Sequence, residues 1–123
     1  MRKILTAIAA LSVIVGGCRY AYGRERLRKT DLEVWYQEDN ARYFGGELER
    51  VRVRWGDLRA EGYLGVTQGN SLGVEIVLDR SELRTEPDAR RVLNHEECHL
   101  FSLDEVPMHG PLFQECMSRN GFN

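Results

Sequence analysis

The stretch RRVLNHEECHLFSLDEVPMHGPLF, Arg90 to Phe113, carries all three histidines of the 123-residue chain. His95 and His99 flank a glutamate as His95-Glu96-x-x-His99, and His109 follows a connecting loop. Residues four apart on a helix lie one turn apart on one face, so both rings can aim a nitrogen at one ion. Glu96 sits roughly 100° further round the helix. It is poorly placed as a ligand but can reach a water beside the ion, where a general base is needed. A catalytic zinc takes three protein ligands and keeps a fourth position open. His109 is the expected third ligand, with Gly110 beside it to let the backbone come close. Glu115 on the next helix is the alternative, while Asp104 and Glu105 fall mid-loop. The plainer reading is a polar helix that happens to contain histidines. Against it, all three lie within positions 95–109, and His95 and His99 sit on a helix with its own start signal and with Val92, Leu93, Leu100 and Phe101 to bury it. The expectation is a site for one zinc ion held by His95, His99 and His109, with Glu96 as catalytic base.

The remaining pattern supplies the scaffold for such a helix. Asp31 to about Phe44 has Leu32, Trp35, Tyr36, Tyr43 and Phe44 at rough helical spacing, a cap at Thr30 or Asp31, and a stop at Gly45-Gly46. RVRVRW, Arg50 to Trp55, alternates as a half-buried strand. GYLGVTQ and GVEIVLD are two further strands, joined by the turn-forming Gly69-Asn70-Ser71. Thr85-Glu86-Pro87-Asp88 opens the histidine helix, expected from about Glu86 to Phe101 or Ser102. Gly110-Pro111 opens a last helix to about Arg119. The predicted fold is α+β: an N-terminal helix, a small three-stranded antiparallel sheet, the active-site helix and a C-terminal helix, a minimal zincin-like arrangement.

The chain start belongs to something else. MRKILTAIAALSVIVGGC places Arg2 and Lys3 before an apolar run too short for a comfortable membrane span. Residues 1–17 read as a signal peptide. Val15-Gly16-Gly17-Cys18 resembles a bacterial lipobox, which implies lipid on Cys18; an uncleaved anchor, or a plain signal with an incidental cysteine, are the alternatives. Residues 18–30 form the lipidated N-terminus and a charged tether, and residues 31–123 the domain. The domain is then exported and held at a membrane. A net charge of −2 and a pI near 5.9 argue against a nucleic-acid partner. Cys98 and Cys116 remain as a candidate pair in an oxidising compartment. If one ion binds all three histidines, the helix faces carrying these cysteines must meet; two buried free thiols are the alternative.

Beyond single residues, the chain resembles the SprT-like zinc metallopeptidases from about Asp31 to Arg119. Asn40-x-x-Tyr43-Phe44-Gly45-Gly46-x-Leu48 is similar to that family's N-x-x-Y-F-x-G-x-L segment, and Arg59-x-x-Gly62 to its R-x-x-G stretch. VEIVL resembles the strand before the active helix. His95-Glu96-x-x-His99 and His109-Gly110-x-x-Phe113 match the catalytic helix and the H-G-x-x-F motif, whose histidine is the family's third ligand. The resemblance implies a peptidase fold and metal chemistry. Family members that act at DNA are intracellular, whereas this leader implies export and the chain is acidic, so a DNA-linked substrate is not carried over.

The expected function is hydrolysis of peptide bonds, with an extended substrate lying along an edge strand, placed at Gly73 to Asp79. Rival readings are a non-catalytic, zinc-stabilised surface lipoprotein that binds a partner, and an amidase acting on cell-wall peptides. Glu97, Asp104 and Glu105 read as a solvated rim, and Cys98 as a small core residue.

Overall fold

The computed structural model describes residues 27–121. The expected leader, Cys18 and residues 19–26 lie outside the described residues. Residues 27–30 are docked. Leu27 packs against the core, and its carbonyl accepts from Arg80 at 3.0 Å. The Arg28 carbonyl accepts the Trp55 indole N–H at 3.1 Å.

Helix α1 spans Asp31–Tyr43 and buries Leu32, Trp35, Tyr36 and Asp39, one stripe at helical spacing. The Thr30 side chain does not cap it; the Asp31 carboxylate instead accepts the Arg28 N–H at 2.7 Å. The chain reverses through Gly45 and Gly46, both at positive φ. Asn40 holds this reversal closed: its amide donates to the Leu48 carbonyl at 3.3 Å and accepts the Leu48 N–H at 2.9 Å. That pairing gives the Asn40-to-Leu48 motif a physical reason.

Three strands follow: β1 Arg52–Gly56, β2 Gly65–Asn70 and β3 Gly73–Asp79. The expectation of an antiparallel sheet is corrected here. The order is β1-β3-β2, with β1 parallel to β3 and β2 antiparallel to it. The reason is hydrophobicity. Ile76, Val77 and Leu78 are buried on successive, opposite faces of β3, which suits a central strand. β1 alternates with arginines, and β2 is glycine-rich and polar, which suits edges. One sheet face carries Val53 and Ile76, packed with Leu32, Trp35, Tyr36, Leu93 and Leu100 of the helices. The other carries Arg54, whose guanidinium makes two 3.1 Å bonds to the buried Glu75.

Helix α2, Glu86–Phe101, begins as its sequence predicts: Thr85 accepts the Asp88 N–H, and a proline stands in the first turn. Helix α3, Pro111–Asn120, ends at Gly121 in the left-handed region. A second small core of Phe44, Cys98, Phe113, Cys116 and Met117 joins α3 to the C-terminal half of α2.

Candidate metal centre

Helix α2 places His95 and His99 one turn apart, their ring centroids 4.9 Å from each other. His109 comes back from the loop onto both: its Nε2 lies 3.0 Å from His99 Nε2. One ligand nitrogen from each of the three lies within 4.8 Å of the others. Nitrogens at about 2.0–2.1 Å from a shared tetrahedral ion stand at comparable spacing. Burial, then the neighbouring His109, pushes the His95 ring below its ordinary value. Burial, then both neighbours, lowers His99 to about 4. Both shifts favour the neutral ring, whose lone pair a metal can take. His109 is exposed and the other two half-buried, so the set is open on one side. Three neutral imidazoles fit a metal that binds nitrogen.

Several contacts hold His109 in place. Its backbone sits at φ 63, in the left-handed region, a conformation that costs an ordinary residue on the order of 1–3 kcal/mol and persists where neighbours over-determine it. The Glu105 carboxylate supplies one such constraint, accepting the Leu112 and Phe113 N–H groups at 2.6 and 3.0 Å. It thereby caps α3, whose own N-cap residue, Gly110, has no side chain to do so. A Cβ on Gly110 would lie 2.8 Å from Glu105 Cδ, so the glycine makes room for the carboxylate. The Gln114 amide donates to the His109 carbonyl at 3.2 Å. Beneath the rings, Phe113 is buried and contacts all three, with centroids at 4.9, 4.6 and 4.6 Å from His95, His99 and His109. A disulfide joins Cys98 to Cys116, with Cα atoms 5.7 Å apart, and so ties α2 to α3 directly behind this cluster.

Glu96 is 5% exposed and faces β2. Thr67 Oγ lies 2.7 Å from its Oε1. Burial raises the carboxyl above its ordinary value, and the Thr67 hydrogen bond partly offsets this. The strand approaches closely because residue 65 is glycine: a Cβ there would lie 2.7 Å from Val92 Cγ1 and 3.2 Å from Glu96 Cγ.

Several expectations change. Glu115 is exposed on α3 and stands outside the converging group. Asp104 is exposed, as expected of a rim, but Glu105 is a helix cap. Glu97 is fully buried and bonded to Asn94 at 3.1 Å. The edge strand beside the site is β2, because β3 is central. Thr67 and Gly65 carried no signal within their own strand; they acquire roles only from the packing of β2 on α2. A groove of about 670 Å³ lies elsewhere, lined by Glu38, Asp39, Arg42 and Arg90 among others and by none of the histidines. Its central guanidinium, Arg90, is already engaged by Glu38, Asp39 and Glu86.

A helix bearing two histidines, a returning third and a small mixed sheet together define an α+β domain with a candidate metal centre. Residues 32–122 match the SprT-like family, and the chain belongs to it. No curated protein matches the chain.

Proposed function

We propose that the domain is a zinc-dependent peptidase, exported and anchored at a membrane through lipid on Cys18. The observation that carries the catalytic reading is the convergence of three imidazoles on one point with Glu96 between two of them on the same helix. A purely structural site has no use for a carboxylate there. His95, His99 and His109 would hold one zinc ion. Such an ion supplies Lewis acidity and a water of lowered pKa, near 7. Glu96 takes the proton of the attacking water and returns it to the leaving amine. Its burial raises its basicity toward the range in which a carboxylate can do both near neutral pH.

The substrate lies extended along β2. The Asp79 N–H bonds to the Leu64 carbonyl at 2.8 Å, which sets the alternation of the antiparallel pair. Val66 and Gln68 therefore turn their backbone groups toward β3, and Gly65, Thr67 and Gly69 turn theirs to the open edge. Among the described residues nothing pairs with that edge. A peptide added there gains main-chain hydrogen bonds next to Glu96.

The test is incubation of the zinc-loaded domain with unfolded protein and, separately, with cell-wall fragments, followed by mass spectrometry. Internal cleavage of the protein, abolished by chelation and restored by zinc, is the expected result. Products from cell-wall fragments alone would make the enzyme an amidase. No product from either, with zinc bound stoichiometrically, would make the site structural. The anchor has its own test: Cys18→Ser should abolish fatty-acid labelling and release the protein from membranes.

A further inference from the structure

We infer that Thr67 is the positioning residue for Glu96, and that it couples the register of a bound peptide to the position of the base; this rests on the peptidase reading. Thr67 Oγ is 2.7 Å from Glu96 Oε1 and 3.2 Å from the Glu96 carbonyl. A hydroxyl has one proton to donate. The carbonyl, in mid-helix, already has its partner one turn on, and the carboxylate is both closer and charged, so it takes the proton. Among the described residues this is the hydrogen bond that Glu96's carboxylate receives from a side chain. Without it, a glutamate with three rotatable bonds would have only packing to orient its head.

Thr67 is well suited to the task. It is β-branched, so its own χ1 is restricted. It sits in the middle of β2, opposite Ile76 of the central strand, which fixes its backbone. Gly65, two residues earlier on the same face, lets the strand come close enough for the hydroxyl to reach. With Oε1 engaged, Oε2 is the oxygen left to receive a proton from water. Because side chain and backbone point in different directions in a strand, the Thr67 side chain faces α2 while its N–H and C=O face the open edge. A peptide paired with Thr67 is therefore registered against the same residue that holds the base. Sequence position alone does not reveal this coupling.

The decisive comparison is Thr67→Val, which removes the hydroxyl at nearly constant shape, against Thr67→Ser, which keeps it. In the zinc-loaded enzyme, Thr67→Val should lower kcat by about 10- to 100-fold, the scale of a misplaced catalytic group. KM and zinc affinity should stay near wild type, and Thr67→Ser should recover most of the loss. High-resolution crystal structures should show Glu96 in one conformer in wild type and Thr67→Ser, and displaced or split in Thr67→Val. A Thr67→Val enzyme with wild-type kcat, or one impaired no more than Thr67→Ser, overturns the proposal. So does an unmoved Glu96 in the Thr67→Val crystal. If the wild-type protein hydrolyses nothing, the peptidase reading and the catalytic role of Thr67 fall together, while the crystal structures still decide whether Thr67 orients Glu96.

Discussion

Glu96 and Glu97 are consecutive, chemically identical and almost without solvent, at 5% and 0% exposed, yet α2 turns them toward different neighbours. Glu96 faces the edge strand β2 and meets one hydroxyl. Glu97 faces α1 and enters a chain of polar side chains that crosses the core. Arg90 donates to Asp39 Oδ1 at 3.0 Å. Asp39 lies beside Glu97, close enough for each carboxyl to act on the other. Asn94 donates to Glu97 Oε1 at 3.1 Å, and Asn120 to Asn94 at 3.3 Å. Burial first, then the Asp39 charge, pushes Glu97 far above the usual carboxylate range. Asp39 is also raised, by burial, although Glu97 and Arg90 work against this. Asp39 Oδ2 and Glu97 Oε2 have no partner if both groups are ionised. A proton kept on Glu97, the direction in which burial and the Asp39 charge push it, removes the like-charge repulsion between the two. Burial alone therefore does not make a base. Glu97 is set among the polar groups of the core, whereas Glu96 receives a single side-chain donor, Thr67.

The largest expected effect tests that distinction directly. Glu96→Gln should lower kcat by about 10³-fold or more while retaining zinc and fold, since it removes the proton acceptor alone. Glu97→Gln, which keeps a neutral hydrogen-bonding head, should leave kcat near wild type. Equal losses from the two would erase the difference between the faces. Next in size is the metal itself. His109→Ala should weaken zinc binding by more than about 100-fold, beyond what loss of a mere supporting contact costs. Glu115→Ala should leave it unchanged, as a competition titration against a chromophoric chelator would read. A third test breaks the rear face. Asp39→Ala strips Arg90 of a partner and should destabilise the fold by about 1–3 kcal/mol in urea unfolding. Zinc affinity should hold; a parallel loss would mean that the two faces are one unit.

The front face was legible in the sequence and the rear was not, for reasons that lie in single residues. His95, Glu96 and His99 are local: helical spacing places them, and Thr85 with Pro87 fixes where that helix starts. His109 needed only a returning loop. Glu97 needed Asp39, which is remote in sequence and charged alike, so their meeting looks unfavourable until one of them keeps a proton. One signal was present. Glu97 stands four residues after Leu93 and three before Leu100, both buried, and so falls within the apolar stripe of its helix. Glu105 read as loop acid because its role depends on Gly110 being unable to cap α3. The sheet misled for another reason. A hairpin joins β2 and β3 as expected, but β2 runs on through Gly69 and Asn70 and the turn is Ser71-Leu72; a set of strand candidates does not say which is central, and the adjacent buried Ile76, Val77 and Leu78 of β3 do.

The smallest effect is the most discriminating for the proton on Glu97. A carboxyl whose folded pKa is raised binds its proton more tightly in the folded state than in the unfolded one. Below the unfolded value, about 4.3 for glutamate, both states are protonated and stability is unaffected. As pH rises above it, the unfolded chain releases the proton while the folded protein keeps it, so stability falls, by up to about 1.4 kcal/mol per pH unit. The fall continues until the folded group itself titrates. Asp39, raised as well, acts in the same direction, and the other groups near Glu97 are Arg90 and Tyr36. His95 and His99, both lowered, act in the opposite direction as pH rises toward their ordinary value, so the wild-type curve alone is mixed. The difference between wild type and Glu97→Gln separates them, because the histidines are common to both. In the zinc-free, disulfide-bonded domain, Glu97→Gln should gain stability relative to wild type steadily between about pH 5 and 8. A difference that does not change with pH would mean that Glu97 is already ionised in the folded protein, and that Asp39 and Glu97 meet as two charges with some other donor between them.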